Sequence, residues 1–194
     1  MNAQTQPGPQ ATEAELMLQA ATTLAPWLRE ADALGELRAR WADTRRMRIE
    51  DALAPGLADT LADAVFDHPF TFYEQHVNDV RCVKYHQLHM LPGPEETSDF
   101  APMAAAMQLF QRDLPALASA ITGQALHRIS GEALGFDCYT KGSYLDAHTD
   151  QGPDRLIAYV VGLTRDTWPA EEGGHLEFLA PDETSILDRW APGF

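Results

Sequence analysis

A chain of 194 residues, 45% of them hydrophobic, carries enough apolar surface for a packed core, which excludes a disordered polypeptide. A formal net charge of −15 argues against a binder of nucleic-acid backbones, whose affinity comes from clustered Lys and Arg. The densest basic run, Arg45, Arg46 and Arg48, is flanked by Asp43, Glu50 and Asp51, so the acidity is read as solubility or as a preference for a basic partner.

Residues 1–10, MNAQTQPGPQ, have little to bury and read as a mobile tail, with 11–194 as a single domain. They lack the basic n-region and apolar h-region of a signal peptide, and no apolar run approaches the roughly 18 residues of a membrane span. A soluble cytoplasmic protein with no membrane or nucleic-acid partner is expected. From Thr12 to Arg40 the spacing is helical: Met17, Ala20, Ala21 and Leu24 share a face, and Pro26 suits a new first turn. Leu28, Leu34, Leu37 and Trp41 continue the series. RRMRIEDALAP predicts a short strand and loop, with Pro55 opening a helix to about Phe66 that buries Leu57, Leu61 and Val65.

FTFYEQHVNDVRCVKYHQLHM alternates apolar and polar residues around a turn signal at Val77-Asn78-Asp79-Val80 and predicts a hairpin. His76, His86 and His89 fall in it without i, i+2 spacing and read as ordinary strand positions. The next segment returns to helix, capped by Ser98 or Asp99 with Pro102 in the first turn. Phe100, Met103, Met107, Phe110, Leu114, Leu117 and Ile121 form a stripe expected to pack on an outer face of the sheet. Pro115 should kink or split this helix, with Asp113 capping the second piece. After Gly123 come four strand-like runs, ALHRIS, EALGFDCYT, RLIAYVVGL and GGHLEFL. Helices followed by consecutive strands predict an α+β fold, helical and hairpin to about residue 123 and strands from about 124. Cys82 and Cys138 lie in strand-like stretches and read as reduced, buried small residues rather than as a disulfide.

The chemistry concentrates in YTKGSYLDAHTDQGPDRL, residues 139–156. His148 and Asp150 stand at i and i+2, so an extended chain points both to one face about 6.6 Å apart, and a bend at a strand end lets them converge on one ion. An imidazole and a carboxylate suit a borderline divalent metal, and two His with one carboxylate on one octahedral face leave open positions. Alone, the pair is weak evidence. Its context is ordered, however: Tyr139 and Gly142 precede it, Arg155 opens the next strand, and Trp168 and Gly173-Gly174 precede another.

In this order of residues the chain resembles the Fe(II)/2-oxoglutarate-dependent dioxygenase superfamily, in its prolyl 4-hydroxylase-like branch, over about Ala133 to Leu179. The resemblance implies a double-stranded β-helix, or jelly-roll, flanked by N-terminal helices. It implies Fe(II) held by His148 and Asp150, 2-oxoglutarate as cosubstrate, and ascorbate as a further ligand. The implied reaction is hydroxylation of a prolyl or similar aliphatic site on a protein, peptide or small molecule. Tyr139 is the candidate for a hydrogen bond to 2-oxoglutarate, with a packed barrel aromatic as its other use. Gly162 stands where some relatives place a cosubstrate tyrosine. Arg155 reads as structural, paired with Asp154 or Asp150.

The family's distal histidine and the Arg or Lys that follows it are not found in the 44 residues after Asp150. Three explanations stand: a fragment incomplete at its C-terminus, a degenerate member, or substitution by another histidine, for which His175 is the remaining choice. The fragment reading predicts a catalytically silent, marginally stable chain. A non-catalytic binding module on the same fold and a cupin-like metal hydrolase or isomerase are the competing functions.

Overall fold

The computed structural model describes residues 12–66, 71–77, 81–90, 101–127, 134–150, 155–165, 168–182 and 184–192. The expected tail, the hairpin turn at Asn78-Asp79, the cap at Ser98 or Asp99, and Phe100 lie outside them. The chain groups into two compact units: residues 1–55 with 105–128, and residues 56–104 with 129–194.

The first unit is helical. α1 (Glu13–Gln19) opens with a reciprocal capping box: the Glu15 amide donates to Thr12 Oγ1 at 3.3 Å, and the Thr12 amide to Glu15 Oε2 at 2.9 Å. A 3₁₀ turn over Pro26–Arg29 follows, then α2 (Ala31–Thr44), which ends on Arg45 at φ 55°. The buried series is Leu18, Ala21, Leu24, Ala25, Leu28, Leu34 and Leu37, while Met17 is exposed. Of the expected face, Ala21 and Leu24 are thus buried, while Leu18 takes the place of Met17 and Ala20 is exposed. The predicted strand in RRMRIEDALAP is replaced by a single antiparallel bridge, Leu24 to Leu53, with the Ala25 amide on Ala52 O and the Ala54 amide on Thr23 O, each at 2.9 Å.

The long helix is three pieces: α4 (Ala101–Gln108), a π-helical turn (Leu109–Asp113) and α5 (Leu114–Thr122), closed by Gly123 at φ 70°. Pro115 gives the physical reason. It has no amide proton for its helical bond, and its ring crowds the carbonyl four residues back, so the preceding turn widens. The inward face is Ala106, Leu109, Asp113, Ala116, Leu117, Ala120 and Ile121, so Leu117 and Ile121 of the expected stripe are buried while Met107, Phe110 and Leu114 are half-buried. α5 packs against α1 and α2. Asp113 does not cap α5. It is 1% exposed, and its Oδ2 accepts the Thr22 and Thr23 amides at 3.1 Å, Thr23 Oγ1 at 2.6 Å and Gln108 Nε2 at 3.1 Å. Arg112 Nε donates to its Oδ1 at 2.9 Å. Burial opposes ionisation here, yet the bonds from Thr23, Arg112 and Gln108 outweigh it and hold the carboxyl below its ordinary range. Arg38 on α2 adds a second tie, donating to Ala120 O at 2.8 Å and to Glu15 Oε1 at 2.7 Å.

The second unit contains α3 (Leu57–Phe66), which buries Leu61, Ala62, Ala64 and Val65. The alternating segment forms the expected hairpin: β1 (Thr71–Val77) runs antiparallel to β2 (Arg81–Met90), Thr71 opposite Gln87 and Val77 opposite Arg81. The other edge of β2 takes β3 (Leu134–Cys138) and then the short β4 (Tyr144–Leu145). A separate ribbon pairs β5 (Leu176–Leu179) with β6 (Ile186–Trp190), Glu177 facing Arg189 in an ion pair of 2.6 Å. Its turn is held by Asp182, whose carboxylate accepts the Ser185 hydroxyl at 2.5 Å and the Ser185 and Thr184 amides at 2.8 and 2.9 Å, bonds that in this order lower its pKa to about 2. Half-buried and exposed residues alternate along RLIAYVVGL, but it is in no strand beyond a bridge at Arg155. The mixture of helices and antiparallel strands is consistent with the α+β class.

Candidate metal centre

The register on β2 shows how the site is aimed. Cys138 of β3 sits opposite His86, and Tyr144 of β4 sits opposite Lys84. β3 and β4 are therefore one line of pairing interrupted by residues 139–143, which loop out opposite Tyr85. The excursion closes on itself: the Ser143 amide donates to Thr140 O at 2.8 Å, and the Thr140 amide to Ser143 Oγ at 3.0 Å. Gly142, third in this turn, adopts φ 85°, a backbone that costs a residue with a Cβ about 1 kcal/mol. Tyr139, at the root of the excursion, is exposed.

Beyond β4 the chain bends, and His148 and Asp150 meet. His148 Nδ1 lies 2.9 Å from the carbonyl oxygen of Asp146. A carbonyl can only accept, so this contact places the ring proton on Nδ1 and leaves a lone pair on Nε2. Nε2 in turn lies 3.2 Å from Asp150 Oδ1. In the neutral ring two lone-pair donors then stand 3.2 Å apart, an arrangement that a metal ion accepting from both would satisfy. A backbone acceptor on the far ring nitrogen is also how proteins fix the tautomer of a metal-bound histidine. The side chains are 30% and 54% exposed, so an ion can reach them. The donor set, one imidazole and one carboxylate, suits iron(II) and neighbouring divalent metals.

Among the described residues, no group of three or more His, Cys, Asp or Glu side chains comes together to hold a metal ion. His175 is half-buried, between Gly174 and the start of β5. Arg155 does approach Asp150, its guanidinium donating to the Asp150 carbonyl at 3.2 Å and standing 3.9 Å from Oδ1. The thiol of Cys138 is free, and burial pushes its pKa up, which fits an inert strand residue.

Three contacts, one of them to His148 itself, escape a reading of the sequence alone. The Asp146 carbonyl is a backbone group, to which no residue type points. Arg165 reaches α3, bonding Asp63 Oδ1 at 2.8 Å and Asp59 O at 2.7 Å; the i, i+4 carboxylates of α3 are its only signal. Trp168 Nε1 donates to Gly173 O at 2.7 Å, and its ring lies against Gly174, where both glycines adopt left-handed backbone at φ 74° and 71°. The ordered Trp and Gly-Gly are visible in the sequence, but not their bond.

No curated protein and no solved structure matches the chain. Residues 134–194, the stretch that begins with β3 and contains the His148–Asp150 pair, match the family model of the 2OG-Fe(II) oxygenase superfamily, and this match supports a general oxygenase-type function.

Proposed function

We propose that residues 134–194 form the iron-holding part of an Fe(II)- and 2-oxoglutarate-dependent hydroxylase, with His148 Nε2 and Asp150 Oδ1 as metal ligands. The observation that carries the reading is the contact of these two atoms at 3.2 Å, with the opposite ring nitrogen already committed to Asp146 O. With iron(II) and 2-oxoglutarate bound, dioxygen would be the oxidant: one of its oxygen atoms would go to succinate as the cosubstrate loses CO2, and the other would enter a substrate C–H bond. The chain's own residues hold and orient. The Asp146 carbonyl keeps His148 in the ligating tautomer, and the Thr140–Ser143 turn sets the direction in which the chain leaves β3. Tyr139, exposed beside that turn, offers a phenolic donor for a carboxylate of 2-oxoglutarate. A prolyl or similar aliphatic substrate on a protein or peptide, an ascorbate requirement, and a jelly-roll framework extend the reading by family resemblance.

Anaerobic titration with Mn(II), a redox-quiet stand-in for iron, tests the ligand pair. His148→Ala and Asp150→Ala should each weaken binding at least tenfold while leaving thermal unfolding unchanged, because both side chains are accessible to solvent. Equal binding by the wild-type chain and both variants would remove the assignment.

A further inference from the structure

We propose that Arg155 is a positioning residue for the metal ligand Asp150, acting through a hydrogen bond to its backbone rather than through its charge. The inference rests on the reading of Asp150 as a ligand. Arg155 is five residues beyond Asp150, and its guanidinium donates to the Asp150 carbonyl at 3.2 Å. The same nitrogen is 3.9 Å from Oδ1, outside hydrogen-bond range. The two side chains are 32% and 54% exposed, so water screens the charge interaction, while the shorter contact to the carbonyl fixes the backbone that carries the ligand.

What Arg155 is attached to strengthens the case. Ten residues further along the same stretch, Arg165 is fastened to α3 through Asp63 Oδ1 at 2.8 Å and Asp59 O at 2.7 Å. A line of contacts therefore runs from α3 through Arg165, along that stretch, and through Arg155 to Asp150. The pair is held from both sides, His148 by the Asp146 carbonyl and Asp150 by Arg155. A guanidinium beside a ligand carboxylate has a second effect of opposite sign: it competes with the metal for electron density. The two effects predict opposite changes when the side chain is removed.

Mn(II) affinity and the electron paramagnetic resonance spectrum of bound Mn(II) separate them, measured on the full chain with Arg155→Ala, Arg155→Gln and Arg155→Lys, and with Asp150→Ala as control. Arg155→Ala should weaken binding about tenfold or more and broaden the spectrum of the bound ion. Gln and Lys each keep an N–H donor and should recover most of the loss, Gln without any charge. Unchanged affinity in Arg155→Ala would overturn the proposal. Tighter binding in the Ala and Gln variants would do so too, and would make Arg155 a competitor. Loss in all three, together with lowered thermal stability, would reduce Arg155 to a structural strand-end residue. If the wild-type chain and Asp150→Ala bind Mn(II) alike, the ligand assignment itself fails and the role of Arg155 falls with it.

Discussion

The helical unit and the segment that matches the oxygenase family are specified by different physics. In the helical unit Leu18, Leu24, Leu28, Leu34, Leu37, Leu109, Leu117 and Ile121 are buried, and even its central carboxylate, Asp113, is sealed. Among the described residues from 134 to 194, Phe136 is the hydrophobic side chain in the buried set, whereas Leu156 and Val160 are 71% and 82% exposed and Leu176, Ile186 and Leu187 are also exposed. The side-chain contacts that order the second region are polar: the Thr140–Ser143 turn, the Asp182 turn, the Trp168–Gly173 bond, and the contacts of Arg155 to Asp150 and of Arg165 to α3. One region is held by apolar burial and gives a scaffold. The other is held by polar geometry, which is what a site for a cation needs.

Substitutions sharpen this contrast. Leu109→Ala removes a fully buried side chain at the π-helical turn and should cost about 3–4 kcal/mol in urea unfolding, with the half-buried Phe110→Ala well below it. The reverse order would restore the regular helical stripe that the spacing suggests. Asp113→Ala strands the amides of Thr22 and Thr23 and the buried Thr23 hydroxyl, and should cost about 3 kcal/mol. A loss under about 1 kcal/mol would show that these donors find other partners.

The same carboxylate makes a pH prediction. Its pKa is lower in the folded than in the unfolded chain, where an aspartate titrates near about 3.9. Its contribution is therefore complete above about pH 4 and declines as the pH falls through the folded pKa. Stability of the wild-type chain should drop over that acid range more steeply than stability of Asp113→Ala; parallel curves would contradict the role given to the Asp113 hydrogen bonds. In the matched region, Trp168→Phe should cost about 1 kcal/mol through the lost bond to Gly173 O. Val160→Ala, at an exposed position, should stay within about 0.5 kcal/mol. A large loss at Val160 would mean that the segment is covered in solution.

Much of this contrast was legible in residue spacing, and the misses have identifiable causes. The hairpin, the helix ending at Phe66, and strands at EALGFDCYT and GGHLEFL follow from periodicity. Of the helix stripe, Leu117 and Ile121 are buried, but most of the other inward positions are Ala106, Asp113, Ala116 and Ala120, which hydropathy ranks below the half-buried Met107, Phe110 and Leu114. RLIAYVVGL has the composition of a strand, but composition does not supply a partner, and pairing is a property of the neighbour. At the site, the His-x-Asp spacing named the two side chains that meet. The groups that support them did not show, since the Asp146 carbonyl has no letter in the sequence and the Arg155 and Arg165 contacts depend on the path of the backbone.

The central claim is that His148 and Asp150 present an open metal to 2-oxoglutarate. Its most direct test is the visible spectrum of the chain under anaerobic conditions with excess Fe(II), before and after 2-oxoglutarate is added. A chelate of the keto acid on bound iron gives a charge-transfer band that neither component produces alone. The account predicts that this band appears with the wild-type chain and is lost in Asp150→Ala. Iron binding with no band on addition of 2-oxoglutarate, or a band of equal strength in Asp150→Ala, would contradict it.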